Sequence, residues 1–264
     1  MRPNRLRQLL REGKPSIATH LHSIWPSLVE IVGHTGAFDY VEFSAEYAPF
    51  DMYGLEHFCR AAELMGMGTM IKLDQQPRTW LAQRAIGAGF QSTLFADIHD
   101  VAEARECVAA VRPDTPDGGG TYGATDRRHS YWGHGGTQAF VDALNDIVVV
   151  VMIEKRSAVE RLDEILAVPG IDMVQWGPSD YAMSIGKPGG WALPEVKAVE
   201  RDVLERCLRA GIPPRAEIND PDEAHPYLEM GVRHFCIGTD TVILHDWFAT
   251  RGMALADLVG RAAS

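Results

Sequence analysis

Short apolar segments rich in β-branched residues alternate along the chain with longer stretches of helical periodicity. The clearest apolar segment is DIVVVVMIEKR at residues 146–156, in which seven consecutive apolar residues end at Glu154. Unbroken apolar runs of this kind are typical of strands that are buried on both faces. We predict eight strands, at residues 16–21, 40–43, 69–73, 92–95, 147–153, 173–176, 215–218 and 234–237.

Stretches of helical periodicity lie between these strands. They predict helices at residues 25–34, 54–65, 79–86, 100–111, 158–167, 194–210, 222–230 and 241–251. Strand-helix alternation implies parallel pairing through helical crossovers, and eight such units in 264 residues predict a closed (β/α)8 TIM barrel. We expect a single domain over residues 1–264. An open doubly wound sheet is the alternative, but no GxGxxG motif follows the first strand.

One segment interrupts this alternation. Residues 113–138 are too long for an idle connection in a compact domain, so the segment is either partly disordered or an interaction loop. It contains Tyr131 and Trp132, which favour packing against a neighbouring subunit. For its two histidines, His129 and His134, we expect a solvated surface position, with a role at a neighbouring subunit's site as the alternative.

Charge and cysteine content narrow the class of partner. The formal net charge is -11 and no basic stripe interrupts it, which argues against nucleic acid as a partner. The sequence has neither a secretory signal nor an apolar stretch near the roughly 18 residues that span a bilayer, so we expect no membrane partner. The four cysteines lack zinc-site spacing and are expected to be buried thiols. A cytoplasmic enzyme or binding protein fits best.

Two carboxylates follow consecutive predicted strands. Glu154 ends the fifth strand, and Asp180 comes four residues after the sixth. The carboxyl ends of barrel strands line the active site, and neighbouring strands lie about 4.8 Å apart, so these groups can converge on one cation such as Mg²⁺ or Mn²⁺. The alternative is that Glu154 pairs with Lys155, Arg156 or another surface group while Asp180 caps a helix.

The run MIEKRSAVERLDEILAVPGIDMVQWGPSDYAMSIG, residues 152–186, resembles the signature of the HpcH/HpaI aldolases, metal-dependent pyruvate aldolases related to the citrate lyase β-subunit. Weaker resemblances lie at residues 38–51 (FDYVEFSAEYAPFD), 87–95 (GAGFQSTLF) and 231–241 (GVRHFCIGTDT). The resemblance implies a barrel that assembles into a homohexamer, a trimer of dimers with the last helix exchanged between subunits. It also implies a divalent metal on Glu154 and Asp180. Gly177, Ser179 and Asp180 of the GPSD motif would bind a 2-oxo acid, with the backbone N–H groups of Ser179 and Asp180 holding its carboxylate.

The sequence departs from the family pattern around this site. Tyr47 replaces the histidine that transfers protons in the family, Lys72 replaces an enolate-stabilising arginine, Met152 replaces a glutamine, and an aspartate that supports the histidine falls at or near Gly87. Tyr47 and Lys72 are therefore candidate catalytic residues.

His20 is the third candidate catalytic residue. His20 and His22 point to the same side of the first strand, since side chains two residues apart share a face. The alternatives for this pair are a buried hydrogen-bonded couple, a surface contact, or ligands that would shift metal preference toward Mn²⁺, Co²⁺ or Zn²⁺.

Three functions remain in view. The leading hypothesis is a metal-dependent lyase, an aldolase that cleaves or forms the carbon-carbon bond next to the keto group of a 2-oxo acid, with an aldehyde as the other substrate. The second is decarboxylation of a β-keto acid such as oxaloacetate, which needs no base to begin. The third is a barrel that binds a metal and a 2-oxo acid without catalysis.

Overall fold

Eight parallel strands close into a barrel in the order in which they occur along the chain. We describe residues 2–126 and 131–261 of a computed structural model. The strands are β1 Ser16–Leu21, β2 Tyr40–Ser44, β3 Gly68–Leu73, β4 Ser92–Phe95, β5 Val148–Ile153, β6 Met173–Trp176, β7 Pro214–Ile218 and β8 His234–Thr239. Because β8 pairs with β1, the sheet has no open edge. The predicted (β/α)8 barrel is confirmed.

Helices surround the barrel on its outer side. Those of the described residues are α1 Arg5–Arg11, α2 Pro26–His34, α3 Met52–Leu64, α4 Arg78–Ala88, α5 Val101–Val111, α6 Gln138–Asn145, α7 Arg156–Glu160, α8 Leu162–Leu166, α9 Pro178–Ser184, α10 Pro194–Arg209, α11 Ala224–Met230 and α12 Asp240–Leu258, with a 3-10 turn at Pro221–Glu223. Within the described residues, none of these helices has the length and apolar character needed to cross a membrane.

One predicted helix is wrong in detail. The stretch 158–167 is not continuous, because the backbone at Arg161 leaves helical geometry, with φ -112° and ψ 19°, and separates α7 from α8. The strands agree with the predictions to within two residues at each end. Their apolar runs are buried on both faces, as every residue of β3, β4, β5 and β6 shows.

The long segment after α5 is anchored at its base. Buried Arg112 donates hydrogen bonds to the carbonyls of Leu144 (3.2 Å), Ile147 (2.9 Å) and Gly170 (3.1 Å). One guanidinium therefore joins the point where the segment departs to the end of α6 and the loop before β6. These hydrogen bonds fix the position at which the segment leaves the barrel.

Part of the segment packs on the barrel's own helices. The hydroxyl of Tyr122 donates to the carbonyl of Gln83 in α4 at 3.1 Å. A side chain at Gly87, also in α4, would meet Asp126, whose Cβ lies 3.4 Å from the position of a Cβ built there. His134 is half-buried, whereas the prediction for His129 lies outside the described residues. The predicted contact with a neighbouring subunit stays a prediction.

The last helix, α12, presents large apolar side chains to solvent along its whole length. The exposed residues are Val242, Ile243, Leu244, Trp247, Phe248, Met253, Leu255 and Leu258. A helix that is apolar on all sides is normally buried. The single chain therefore leaves uncovered a surface of the kind that another chain usually covers.

Candidate active site

One cavity of about 700 Å³ opens at the carboxyl ends of the strands. Every residue predicted for the site lines it: His20, Tyr47, Lys72, Glu154, Gly177, Ser179 and Asp180. His22 lines it as well. The structure thus brings together side chains from β1, β3, β5 and β6 that are distant in sequence, because the strand ends of a barrel face one opening.

Glu154 is a buried carboxylate that follows directly on β5. It is 3% exposed, and its Oε1 accepts the backbone N–H of Asp97 at 2.7 Å. Burial raises the pKa of Glu154 to about 7, although the N–H of Asp97 opposes that shift. Among the described residues Glu154 forms no ion pair; its charge is favoured by the Asp97 N–H and, at longer range, by Lys72.

The two cations considered as partners of Glu154 pair with other groups. Lys155 Nζ lies 2.5 Å from Asp97 Oδ1 and 3.0 Å from Asp180 Oδ1, while Arg156 pairs with Glu160 at 2.8 Å. The alternative that Glu154 pairs with Lys155 or Arg156 is therefore wrong. Lys155 instead bridges Asp180, the other predicted ligand, to a third carboxylate in the same corner of the cavity.

Gly177 controls how closely α9 approaches Glu154. A Cβ at this position would overlap a carboxylate oxygen and the Cβ of Glu154, so only glycine fits without displacing that side chain. Gly177 is also the residue that precedes α9, and it has no side chain with which to cap the helix. Asp180 lies in the first turn and is not the capping residue, which excludes that alternative.

The first turn of α9 has unused backbone donors. The first hydrogen bond within this helix runs from the Tyr181 N–H to the Gly177 carbonyl at 3.1 Å, so the N–H groups of Ser179 and Asp180 precede it. These are the two donors predicted to hold a substrate carboxylate. Whether they do so stays a prediction.

The donor set fits a hard divalent cation. In residues 2–126 and 131–261 no group of three or more His, Cys, Asp or Glu side chains is placed to hold a metal ion. Glu154 and Asp180 are thus two carboxylates that need substrate and water oxygens to complete a coordination shell, which suits Mg²⁺ or Mn²⁺. The burial of the Glu154 carboxyl without an ion-pair partner among the described residues is the observation that supports this fit.

Lys72 is paired and still faces the cavity. Its Nζ lies 2.7 Å from Glu46 Oε2, donates to Tyr47 Oη at 3.0 Å and lies 4.4 Å from the centre of that ring. Burial opposes the charge of Lys72, but Glu46 and Tyr47 raise its pKa, so the ammonium persists. Burial also raises the pKa of Tyr47 above 10 despite Lys72, so this phenol is no base at neutral pH.

His20 and His22 lie side by side at the end of β1, across the cavity from Glu154. Their ring centres are 4.9 Å apart, edge to face, and the His22 ring centre is 5.9 Å from that of Tyr47. His20 is 4% exposed, with Nδ1 3.2 Å from Glu42 Oε1 and 3.7 Å from Glu217 Oε1. His20 therefore contacts carboxylates of β2 and β7.

A sequence profile of the HpcH/HpaI aldolase/citrate lyase family matches residues 17–245. The chain belongs to this family. The 2-keto-3-deoxy-L-rhamnonate aldolase of Escherichia coli K12 is 29% identical over 244 residues, covering 92% of this chain and 90% of that protein. An HpcH/HpaI aldolase/citrate lyase family protein of Burkholderia cenocepacia J2315 is 27% identical, with a TM-score of 0.83 over 97% of this chain and 99% of that one. An HpcH/HpaI aldolase of Desulfitobacterium hafniense DCB-2, 23% identical, shares the fold with a TM-score of 0.84 over 98% of this chain and 99% of that one.

Membership of the HpcH/HpaI family confirms the prediction of an enzyme of the aldolase and lyase class. The individual roles of the site residues stay predictions. Three of the departures from the family pattern, Tyr47, Lys72 and Met152, lie together in the cavity, whereas Gly87 lies in α4 beside Tyr122, away from it.

Sequence reasoning missed a polar network inside this HpcH/HpaI barrel. Arg215, fully buried, lies 2.5 Å from Glu42 Oε2 and donates to Gln175, which donates in turn to Glu217 at 3.0 Å. A signal was available, because Arg215 and Glu217 are two residues apart and so share a face of β7. Together with His20 these side chains form a closed ring across β1, β2, β6 and β7.

Proposed function

We propose that this HpcH/HpaI family member is a divalent-metal-dependent aldolase that cleaves or forms the carbon-carbon bond next to the keto group of a 2-oxo acid. The single observation that carries the proposal is Glu154, a buried carboxylate without a cationic partner among the described residues, across from Asp180 in the same cavity. The Escherichia coli relative, whose name carries a 2-keto acid, supports that substrate class.

Each predicted residue has a task in this proposal. Glu154 and Asp180 hold Mg²⁺ or Mn²⁺, which when bound stabilises negative charge on the keto oxygen of the substrate. Gly177 leaves room for the substrate beside Glu154, and the N–H groups of Ser179 and Asp180 receive its carboxylate. Lys72, a persistent cation, faces the negative charge that develops during bond cleavage.

Pyruvate alone tests this proposal, since it needs no knowledge of the aldehyde. In D₂O with Mn²⁺ or Mg²⁺ we expect the enzyme to exchange the pyruvate methyl protons for deuterium, followed by proton NMR, and to lose this exchange when the metal is chelated. Calorimetry on the same protein should detect metal uptake. No metal uptake, or exchange that persists without metal, would contradict the proposal.

Decarboxylation of a β-keto acid is the second candidate, and Tyr47 favours it. The residue at the family's base position has a pKa raised above 10, and loss of carbon dioxide requires no base. Metal-dependent carbon dioxide release from oxaloacetate, without methyl exchange in pyruvate, would favour this reaction. Metal and pyruvate binding with neither reaction would identify a non-catalytic binding barrel.

The exposed apolar surface of α12 supports assembly into a homohexamer, a trimer of dimers in which α12 packs on a partner subunit. Light scattering on the purified protein should give six times the 29.1 kDa chain mass. Replacement of half-exposed Trp247 by glutamate should shift that mass downward. The four reduced and buried cysteines support a cytoplasmic location, where thiols persist.

A further inference from the structure

His20 and His22 are neighbours whose surroundings differ in charge. The first ring is almost fully buried between Glu42 and Glu217, and the second is half-buried at the cavity wall. Two titratable groups driven apart by their environments are a common arrangement of acid and base in one active site. The difference in charge around the two rings therefore suits a division of roles into an acid and a base.

The ring of side chains around His20 is electrically balanced when that histidine carries a proton. Glu42 and Glu217 are two negative charges, and Arg215 supplies one positive charge. Burial opposes a charge on His20, but the two carboxylates raise its pKa above the usual 6.5. In return, the pKa of Glu217 is lowered to about 2, since His20 and Arg215 outweigh the partial desolvation of this carboxylate, whose side chain is 43% exposed. These interactions favour an imidazolium at His20.

His22 stands on a fixed piece of backbone just beyond β1. Buried Asp240, the first residue of α12, accepts the N–H of His22 and the N–H of Ser23, each at 2.9 Å. The Nδ1 of His22 lies 3.5 Å from the Thr241 hydroxyl, which leaves Nε2 for a substrate. Burial, together with the charge on His20, lowers the pKa of His22 below 6.5. The ring is then neutral at pH 7 and can accept a proton.

We propose that His22 is the proton-transfer residue of this site and that His20, clamped by Glu42 and Glu217, is a fixed positive charge that positions and tunes it. This inference rests on the proposed aldolase function. It gives a reason why the enzyme functions with tyrosine at position 47: the base has moved from the end of β2 to the end of β1. His20 is then a positioning residue and His22 the catalytic one.

The proton balance is complete within the site. In cleavage, Nε2 of His22 takes the proton of the substrate's 4-hydroxyl, the O–H electron pair forms the aldehyde C=O, and the C3–C4 pair becomes the double bond of the enolate. The imidazolium then returns that proton to C3, which forms the methyl group and restores the keto group, and pyruvate is released. With pyruvate alone, the same nitrogen removes a C3 proton and returns deuterium from solvent.

Several charged or titratable groups surround the two rings and enter any pH profile. They are Glu42 on β2, Tyr47 beyond it, Lys72 on β3, Arg215 and Glu217 on β7, and Asp240 on α12. Of these, Lys72 acts to lower the pKa of His22, while Asp240 and Glu217 act to raise it. His20 has the largest effect of any neighbouring charge, so its removal is the informative change.

The first experiment measures pyruvate methyl exchange in His22→Gln. We expect a loss of at least about 100-fold, in the range typical of a general base, with Mn²⁺ and pyruvate binding retained by calorimetry. The matched control is His57→Gln, an exposed histidine on α3, which should exchange like the wild type. Exchange within threefold of the wild type in His22→Gln would overturn the assignment.

The second experiment does not depend on that variant folding. Carbon-13 labelled histidine NMR should give a titration midpoint for His22 below 6.5 in the wild type, and a higher midpoint in His20→Asn, because the neighbouring charge is gone. The acid limb of the exchange rate should move upward with it. An unmoved midpoint would overturn the role of His20. Absence of exchange in the wild type would overturn the aldolase proposal itself, which distinguishes the two failures.

Discussion

The two walls of the cavity differ in how much of their charge is already compensated. On the β5 and β6 wall, Glu154 is buried with a single backbone donor. On the β1, β2 and β7 wall, His20, Glu42, Arg215 and Glu217 compensate one another in a closed ring. A buried charge without an ion-pair partner is costly unless a ligand pairs with it, whereas the charges of the second wall are already balanced by ion pairs. In the function proposed here, the first wall is the one that binds the cation, and the second supplies a constant electrostatic field.

The largest expected effect comes from removing the Glu154 carboxylate. Glu154→Gln should weaken Mn²⁺ binding at least about 100-fold in calorimetry, since loss of a ligand exceeds the 10–100-fold typical of outer-shell changes. Glu160→Gln is the matched control, because that carboxylate is an exposed partner of Arg156 on α7. Unchanged affinity in Glu154→Gln would break the comparison, because the open wall would then not be the cation site.

The ionisation of Glu154 should also appear in the pH dependence of the free energy of unfolding of the metal-free protein. The folded-state pKa of Glu154, about 7, lies above the ordinary 4.5, so the stability tied to its proton is fully present below pH 4.5 and is lost as pH rises through 7. The loss is at most about 3 kcal/mol, from 1.36 kcal/mol per pKa unit. Thermal melting of wild type and Glu154→Gln between pH 5 and 8 should show this loss in the wild type alone. Parallel curves would contradict it.

A methyl group at position 177 tests how closely the backbone there packs against Glu154. Gly177→Ala places a Cβ into the carboxylate of Glu154, and we expect Mn²⁺ binding to fall about 10-fold or more as that ligand is displaced, with about 1–3 kcal/mol of lost stability. Gly252→Ala on α12, where nothing lies within 4 Å, is the control and should leave Mn²⁺ binding unchanged without any loss of stability. Equal behaviour of the two variants would show that the contact yields freely.

The smallest expected effect has the opposite sign. Lys155 bridges Asp97 and Asp180, and its ammonium competes with a metal for Asp180. Lys155→Gln should tighten Mn²⁺ binding by about 3- to 10-fold, as expected when one nearby like charge is removed from a site of intermediate dielectric. Lys197→Gln, at the cavity rim and paired with Glu200, is the control. Weaker binding in Lys155→Gln would mean that the lysine orders the ligands instead of competing with metal.

The barrel and the positions of Glu154 and Asp180 were predicted well from the sequence, because both depend on where the strands end. The apolar run that closes at Glu154 defines β5 and its carboxyl end at once, and the spacing to Asp180 follows from the next strand. The break at Arg161 could not be predicted, since a run of good helix formers gives no sign of it. A single backbone rotation there depends on tertiary packing.

The ion-pair network that contains Glu42 and Arg215 was harder to predict, for a physical reason. Charged residues in a strand normally face solvent, and Glu42 and Arg215 lie inside because each neutralises the other. That pairing joins β2 to β7, strands far apart in the chain, and no local pattern encodes it. The ion pair between Lys155 and Asp97 was missed for the same reason, since Asp97 follows β4 and is distant from Lys155 in the chain.

Arg112 has a consequence for the evolution and engineering of this barrel. Its three hydrogen bonds fix the chain where the long segment begins, and buried Tyr122 attaches the segment to α4 ten residues later. A change of length between these two attachments would disturb both. A designer who alters the segment would therefore keep Arg112 and Tyr122, and the chemistry at the far side of the barrel would be left alone.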